Sequence, residues 1–261
     1  MSYMVRSKVL QNVIVRVGNF VLMRQRAIKK INYKDERMRN AVTEIDVRAE
    51  HMIRREIKKY FPHDSIIGEE LPPEQGTSEF RWIIDPIDGT ANYISSIPFY
   101  CTSIALMHKK NVVSGGVYDP THRELFIAEQ NRGARLNGKL LRVTPAKSIR
   151  SSFCGFGFGN VARGVPLYAK ISNAVAKSRH LGSTALALCY VAANRLQGYV
   201  ATGVPTWDIS AGIIMVREAG AKALQLNRIP LDLSSNVPLD MIAGHQNYIR
   251  AILRVIKNPQ R

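Results

Sequence analysis

The chain has 261 residues, 46% hydrophobic and 22% charged, with a formal net charge of +17. That length suits one large domain or two intimate ones, and the mixed composition excludes a disordered or fibrous chain. No apolar run approaches the roughly 20 residues of a membrane span, and Arg6, Lys8 and Arg16 break up the apolar block a signal peptide would need.

Cys101, Cys154 and Cys189 are odd in number, far apart and without C-x-x-C spacing, so free thiols in a reducing, cytoplasmic setting are expected. The charge is uneven: residues 1–60 hold 15 Lys and Arg against 6 Asp and Glu. Such a field attracts anions, whether phosphorylated substrates, nucleic acid or acidic membrane, but a merely solvated basic face is the plainer account. No RNA-binding or helix-turn-helix signature accompanies it.

From about residue 4 to 31, Val9, Leu10, Val13, Val17, Phe20 and Val21 recur at helical spacing, predicting a long amphipathic helix. Thr43-Glu44-Ile45-Asp46 has capping-box character and opens a second helix with Ile53 and Ile57 on its apolar face, ended by Phe61-Pro62. Ser65-Ile66-Ile67 reads as a short strand delivering Gly68-Glu69-Glu70. Leu71 to Ser78, with Pro72, Pro73 and Gly76, reads as a mobile loop. Arg81 to Ile84 is the next strand. Thr102–Met107, Val112–Val117 and Glu124–Ala128 follow as strands, and Asn137-Gly138 marks a tight hairpin.

Gly155-Phe156-Gly157-Phe158-Gly159 lies near a subdomain boundary and is discounted as a nucleotide loop, for want of a strand–helix context. Helices are expected over Ser183–Ala193, from Trp207 to Ala219 and over Tyr248–Ile256, with strands at Lys222–Leu226 and Met241–Ala243. Helices, then an antiparallel run, then alternating β and α indicate a layered α/β protein.

The most informative stretch is Trp82-Ile83-Ile84-Asp85-Pro86-Ile87-Asp88-Gly89-Thr90. A buried apolar strand runs into two carboxylates, which repel unless a cation sits between them. Pro86 stiffens the turn that presents them, and Gly89 lets backbone N–H groups approach an anion. Hard oxygen ligands with open coordination positions suit Mg²⁺ and substrate phosphate. Singly, the other acids have plainer readings: Asp46 completes a capping box, Glu69 and Glu70 sit in a solvated turn, and Asp208 complements a helix dipole. Together they describe a phosphomonoesterase. Asp85 and Asp88 grip two metal ions, Glu69 and Asp208 complete the spheres, and a metal-activated water is the nucleophile, since neither a Cys-x5-Arg loop nor a P-loop is present.

These residues resemble the inositol monophosphatase family of Mg²⁺-dependent, lithium-sensitive phosphatases. The matching blocks are Val42-Thr43-x-x-Asp46, Gly68-Glu69-Glu70, the Trp82–Thr90 run with Asn92, and Trp207-Asp208-x-x-Ala211-Gly212 with Glu218-Ala219-Gly220. The resemblance implies a five-layer αβαβα sandwich, commonly a homodimer, with two to three Mg²⁺ ions. It implies Glu69, Asp85 and the Ile87 carbonyl as ligands of one metal, Asp85, Asp88 and Asp208 of a second, and Glu69 at a third. Thr90, paired with Asp46, orients the attacking water. Gly89 and Thr90 hold the phosphate, with Gly182, Ser183, Thr184, Asp88 and Asp208 on the substrate side and Glu70 behind the ligands. Residues 1–145 then form an α+β half with most metal ligands, and residues 146–261 an α/β half with Asp208, within one compact unit.

Three positions depart from the family pattern. Asn40 stands where an Asp is usual, Thr184 replaces a small residue, and Ala201 occupies the place of a Glu six residues before Trp207. Lys34 is only a loose match, by spacing, to the family's upstream Lys, and Ser210 replaces a common Ala. The missing acceptor at Ala201 weakens strict inositol preference. The expected substrate is inositol 1-phosphate or a related polyol phosphate. A sugar bisphosphate, a nucleotide 3′-phosphate or histidinol phosphate is the alternative ester. From another class, the chain is a basic protein docking on nucleic acid or a transcription complex.

Overall fold

The computed structural model describes residues 3–34, 41–235 and 237–257, so Asn40 lies outside the described residues. Helix α1 (Tyr3–Arg24) buries Leu10, Val13, Ile14, Val17 and Val21, one face at helical spacing. It stops short of residue 31: Gln25–Ala27 is a 3-10 turn, and Ile31 already belongs to β1 (Ile31–Tyr33), antiparallel to β2 (Ala41–Thr43). The cause is local. Past Val21 the apolar face gives way to exposed Leu22 and Met23. The Lys29 and Lys30 N–H groups then donate to the Glu44 carboxylate (2.8 and 3.1 Å) instead of extending a helix.

The capping box forms as expected. Thr43 N–H donates to Asp46 Oδ2 at 2.9 Å and Thr43 Oγ1 accepts from Ile45 N at 3.1 Å, opening α2 (Glu44–Tyr60). Next come β3 (Ser65–Gly68), β4 (Phe80–Asp88), the short α3 (Thr90–Ile94), β5 (Cys101–His108), β6 (Asn111–Asp119), β7 (Glu124–Glu129), β8 (Gly133–Leu136) and β9 (Lys139–Leu140). Asn137-Gly138 is the β8–β9 turn. The second half runs β10 (Phe153–Phe158), α4 (Val161–Ala174), β11 (Lys177–Arg179), α5 (Thr184–Ala192), β12 (Gly198–Val204), α6 (Thr206–Glu218), β13 (Lys222–Gln225), β14 (Leu239–Gly244) and α7 (Gln246–Lys257).

Two sheets result. The first has order β3-β4-β5-β6-β7-β8-β9, antiparallel except for β3 beside β4; the second has order β11-β10-β12-β14-β13. Strand alternation then builds five layers. Trp82 and Ile84 of β4 face α1 and α2, while Ile83 faces the opposite core with Leu186 and Leu188 of α5 and Ile213 and Ile214 of α6. Tyr199 and Ala201 of β12 close that middle core from the second sheet, and Val200 points away to Ile171 of α4 and Ile249 and Ile252 of α7. The order α1/α2, sheet, α5/α6, sheet, α4/α7 is the αβαβα sandwich.

Three expectations change. Leu71–Ser78 is tied down rather than free: Arg54 donates to the Leu71 and Pro72 carbonyls, Glu74 bridges to Ile66, and Gly76 N donates to Ser65 Oγ. The glycine-rich run does have a strand–helix context, β10 then α4. Its Gly155 and Gly157 lie inside the strand, where a Cβ would strike Tyr199 at 2.8 and 2.2 Å. The acidic motif is a continuation of β4 and not a turn, as set out below.

A buried ion pair fastens α1 to the first sheet. Arg6 Nε and Nη2 donate to Asp64 at 2.7 and 2.8 Å, joined by Trp82 Nε1 at 3.0 Å and Ser78 Oγ at 2.6 Å. The guanidinium lies 4.4 and 3.9 Å from the Phe61 and Phe80 ring centroids. Burial pushes the Asp64 carboxyl up, but these donors hold it below the ordinary carboxylate value. Arg6→Met should therefore cost about 3–5 kcal/mol in urea unfolding at pH 7, because it strands a buried charge. The deficit relative to wild type should shrink as the pH falls through the depressed Asp64 pKa, where the carboxylate protonates in both proteins.

Candidate active site

The two motif acids share one face of β4 because the strand carries a bulge. Asp85 stands opposite Ser103 of β5 and Asp88 opposite Cys101, so three residues of β4 span two of β5. In a regular strand, residues three apart point to opposite faces; one extra residue turns them to the same face. Pro86 lies within the irregularity, where it need donate no ladder hydrogen bond, and its carbonyl accepts from Thr102 Oγ1 at 2.9 Å. Both acids thereby point into the middle layer, toward α5 and α6.

There Asp208, in the first turn of α6, meets them. Glu69, just past β3, arrives from the neighbouring strand, its N–H donating to the Ile84 carbonyl at 3.2 Å. Carboxylate oxygens of Glu69, Asp85 and Asp208 lie within 4.8 Å of one another. Burial pushes the Asp85 carboxyl well above its ordinary value, and repulsion from Glu69, Asp88 and Asp208 adds to this. Asp208 is raised in the same way, by burial and then by Asp88 and Glu69.

Lys34, a loose match by sequence, is brought in by the β1–β2 hairpin: its Nζ lies 2.9 Å from Glu69 Oε1 and 2.8 Å from Glu70 Oε2. Glu70 is pushed up to about 7 by burial and by Glu69, and its other oxygen, Oε1, is buried with no partner among the described residues. The donor set is all hard oxygen, and among the described residues its charge exceeds the one Lys34 ammonium beside it and one buried oxygen has no partner. These residues fit a hard divalent cation such as Mg²⁺, Mn²⁺ or Ca²⁺.

Asp88 is held differently. Its Oδ2 accepts from Ser183 Oγ at 2.5 Å and Ala185 N at 2.6 Å, and its Oδ1 from Thr184 N at 3.2 Å, so it caps the start of α5. Burial dominates these hydrogen bonds and leaves its carboxyl pushed up to about 6. The polar groups expected to face substrate are thereby engaged elsewhere: Ser183 Oγ and the Thr184 N–H serve Asp88, and Thr184 Oγ1 pairs with the buried Tyr199 hydroxyl at 3.0 Å. Sequence reasoning missed Tyr199, whose strand carries no alternation to mark it.

Beyond the bulge, Gly89 takes φ +96°, a left-handed conformation that disfavours any side chain. It starts α3, and a Cβ there would come within 3.1 Å of the Gly182 and Phe99 carbonyls. Asn92 Nδ2 donates to the carbonyls of Phe99 and Leu181, both at 2.7 Å, and so pins the Gly182 turn against Gly89 and Thr90. Thr90 Oγ1 lies 3.1 Å from Asp46 Oδ1 and 2.9 Å from the Ile87 carbonyl. With one proton to give, it donates to one at a time and keeps lone pairs free. When Thr90 donates to Asp46, the Ile87 carbonyl does not receive that proton. Burial pushes Asp46 up to about 6 against the hydrogen bonds from Thr43 and Thr90.

Cys101 sits nearby, its Sγ 3.8 Å from Asp88 Oδ2. Burial first, and Asp88 second, raise its thiol well above the ordinary value, so it offers no thiolate for nucleophilic attack. Cys154 and Cys189 are also free, buried and raised. No helix among the described residues is long and apolar enough to cross a membrane.

The sandwich and its converging carboxylates define a class, and the comparisons agree. The sequence model of the inositol monophosphatase family matches residues 5–256. The chain is 37% identical over 222 residues to the Nus factor SuhB of Pasteurella multocida, covering 83% of this chain and 82% of that protein. It is 35% identical over 226 residues to the inositol-1-monophosphatase of Mesorhizobium japonicum, covering 84% and 83%. The crystal structure of the extragenic suppressor protein suhB from Bartonella henselae superposes with a TM-score of 0.90 at 28% identity, covering 97% of this chain and 98% of that one. This chain belongs to the inositol monophosphatase family. That is a family of phosphatases acting on small phosphorylated substrates and generally dependent on metal.

Proposed function

We propose that this protein is a Mg²⁺-dependent phosphomonoesterase that hydrolyses inositol 1-phosphate or a related small polyol phosphate. The observation that carries the reading is the convergence of Glu69, Asp85 and Asp208 beside the Thr90–Asp46 pair. Glu69, Asp85, Asp88, Asp208 and the Ile87 carbonyl would hold two to three Mg²⁺ ions, with Asp88 oriented by its three donors at the α5 terminus. Bound Mg²⁺ supplies charge neutralisation to the phosphoryl oxygens and acidity to water.

The chain's own part is positioning. Thr90 Oγ1 accepts a hydrogen bond from the attacking water while donating to Asp46, which takes up the proton. Water oxygen bonds to phosphorus, the ester P–O bond breaks, and the leaving alkoxide takes a proton from solvent water while Asp46 returns its proton to solvent, giving alcohol and inorganic phosphate. The N–H groups of Gly89 and Thr90, at the bend after the bulge, receive the phosphate. The same reading makes the enzyme cytoplasmic, lithium-sensitive and homodimeric.

Ala201, on β12 of the second sheet, is fully buried in the middle core, so this position offers no carboxylate to a sugar hydroxyl. That supports a second ester, such as a sugar bisphosphate, a nucleotide 3′-phosphate or histidinol phosphate. Phosphate release from a panel of these with Mg²⁺ decides between them. Fastest turnover of inositol 1-phosphate supports the first reading, and faster turnover of another ester keeps the mechanism and moves the substrate.

The likeness to proteins named Nus factor, together with exposed Arg48, His51, Arg55 and Lys59 on α2, supports a polyanion-binding reading beside the catalytic one. Retention on RNA that weakens steeply with salt is its expected signature. Absence of retention at about 0.15 M salt would remove it.

A further inference from the structure

We propose that Arg54 and Glu50, a buried pair on α2 outside the carboxylate cluster, are positioning residues that hold the Glu69–Glu70 turn in its metal-binding conformation. The proposal rests on the metal-dependent reading above.

Glu50 is fully buried, and its two oxygens face different partners. Oε1 accepts from Arg54 Nε at 2.8 Å and lies 2.6 Å from Arg54 Nη2; Oε2 accepts from the Glu70 N–H at 2.8 Å. The Glu69 N–H is held from the other side by Ile84 O at 3.2 Å. The two successive N–H groups that bracket the Glu69 side chain are thus fixed by different elements, β4 and α2.

Gly68 makes the contact possible: a Cβ there would lie 2.0 Å from Glu50 Oε1. Gly68→Ala should therefore push the carboxylate off Glu70 N and lower the melting temperature in thermal melts, as overpacking a core does.

Arg54 completes the clamp with four hydrogen bonds and a further close ion-pair contact. Nε and Nη2 bind Glu50, Nη2 also binds Leu71 O at 2.9 Å, and Nη1 binds Pro72 O and Glu74 Oε1, both at 2.9 Å. It therefore secures the chain that leaves Glu70 as well as the carboxylate beneath it. A lysine has three donors from one nitrogen and cannot span these directions. Partners that orient ligands from outside a site tune its affinity without touching the ion.

The test is Mn²⁺ binding to the full chain, followed by electron paramagnetic resonance well below every variant's melting temperature. Wild type, Arg54→Met, Arg54→Lys and Glu50→Gln are compared with Ile53→Ala, which removes core volume from the same helix. Arg54→Met and Glu50→Gln are expected to bind Mn²⁺ about tenfold more weakly, the scale of lost outer-shell support, with Arg54→Lys in between. Ile53→Ala should melt earlier yet bind Mn²⁺ like wild type. Equal Mn²⁺ affinity in wild type and the Arg54 and Glu50 variants overturns the proposal, as does weakening in Ile53→Ala that matches theirs. Should Arg54→Met fail to fold, Arg54→Lys and Glu50→Gln decide by the same readout. A wild type that binds no Mn²⁺ would instead overturn the metal-dependent reading itself, and this proposal with it.

Discussion

Asp85→Asn is expected to lower Mg²⁺-dependent phosphate release by about 10³-fold or more, the scale of removing a principal electrostatic stabiliser of a transition state. Asp85 is the acid at the centre of the cluster, with Glu69, Asp88, Asp208 and Glu70 all adding to the upward push on its carboxyl after burial itself. Removing that charge relieves repulsion in the metal-free protein, and an amide oxygen can still accept from Ile87 N as Asp85 Oδ1 does at 3.0 Å. The variant should therefore fold, with a melting temperature in chelator equal to or above that of wild type, as expected where a functional site is held at the expense of stability. Activity and chelator melts separate the two effects. Near-wild-type turnover with Mg²⁺ would refute the metal assignment, whereas a fall in both activity and melting temperature would make Asp85 a structural residue.

Thr90→Ala is expected to lower kcat by about 10²–10⁴-fold, the range for loss of a group that positions or moves a proton. Its hydroxyl shares only the Ile87 carbonyl with the proposed ligands and touches none of the Glu69, Asp85 and Asp208 oxygens, so the Mn²⁺ affinity should stay near wild type. A matching loss of metal affinity would reassign Thr90 to a structural role. The pH profile gives an independent check. Asp46 accepts a proton only when ionised, so activity should fall as the pH drops through its pKa, pushed up to about 6 by burial. The Thr90 hydrogen bond stabilises the ionised form; its removal should move the residual activity's acid limb to higher pH.

Much of this site was legible from local signals. The Thr43–Asp46 capping box, the Asn137-Gly138 turn and the acids following Trp82-Ile83-Ile84 are each set within a few residues, where spacing and side-chain type decide the outcome. The motif blocks were enough to name the family and its sandwich. What they concealed has a physical pattern. Strand β12 is buried nearly all round, because the middle layers have protein on both sides, so its sequence carries little periodicity to read; α5 and α6 are as buried, but Gly182 and Trp207-Asp208 mark their starts. Helix α4 was hidden by Pro166 inside it.

The residue types of the site are therefore a property of the sequence, while their directions belong to the tertiary structure. Asp85 and Asp88 share a face because β4 and β5 pair with a bulge, which depends on the register between strands and not on the motif alone. Asp46 caps its own helix by a local rule, yet it meets Thr90 only because α2 packs on the first sheet. Ser183 and Thr184 turn to Asp88, Lys34 reaches Glu69 and Glu70, and Arg54 finds the Leu71 and Pro72 carbonyls, all across long stretches of chain. A carboxylate's chemistry is written in the residue; which hydrogen-bond donor or like charge satisfies or opposes it is set by the neighbours that folding brings within a few ångströms.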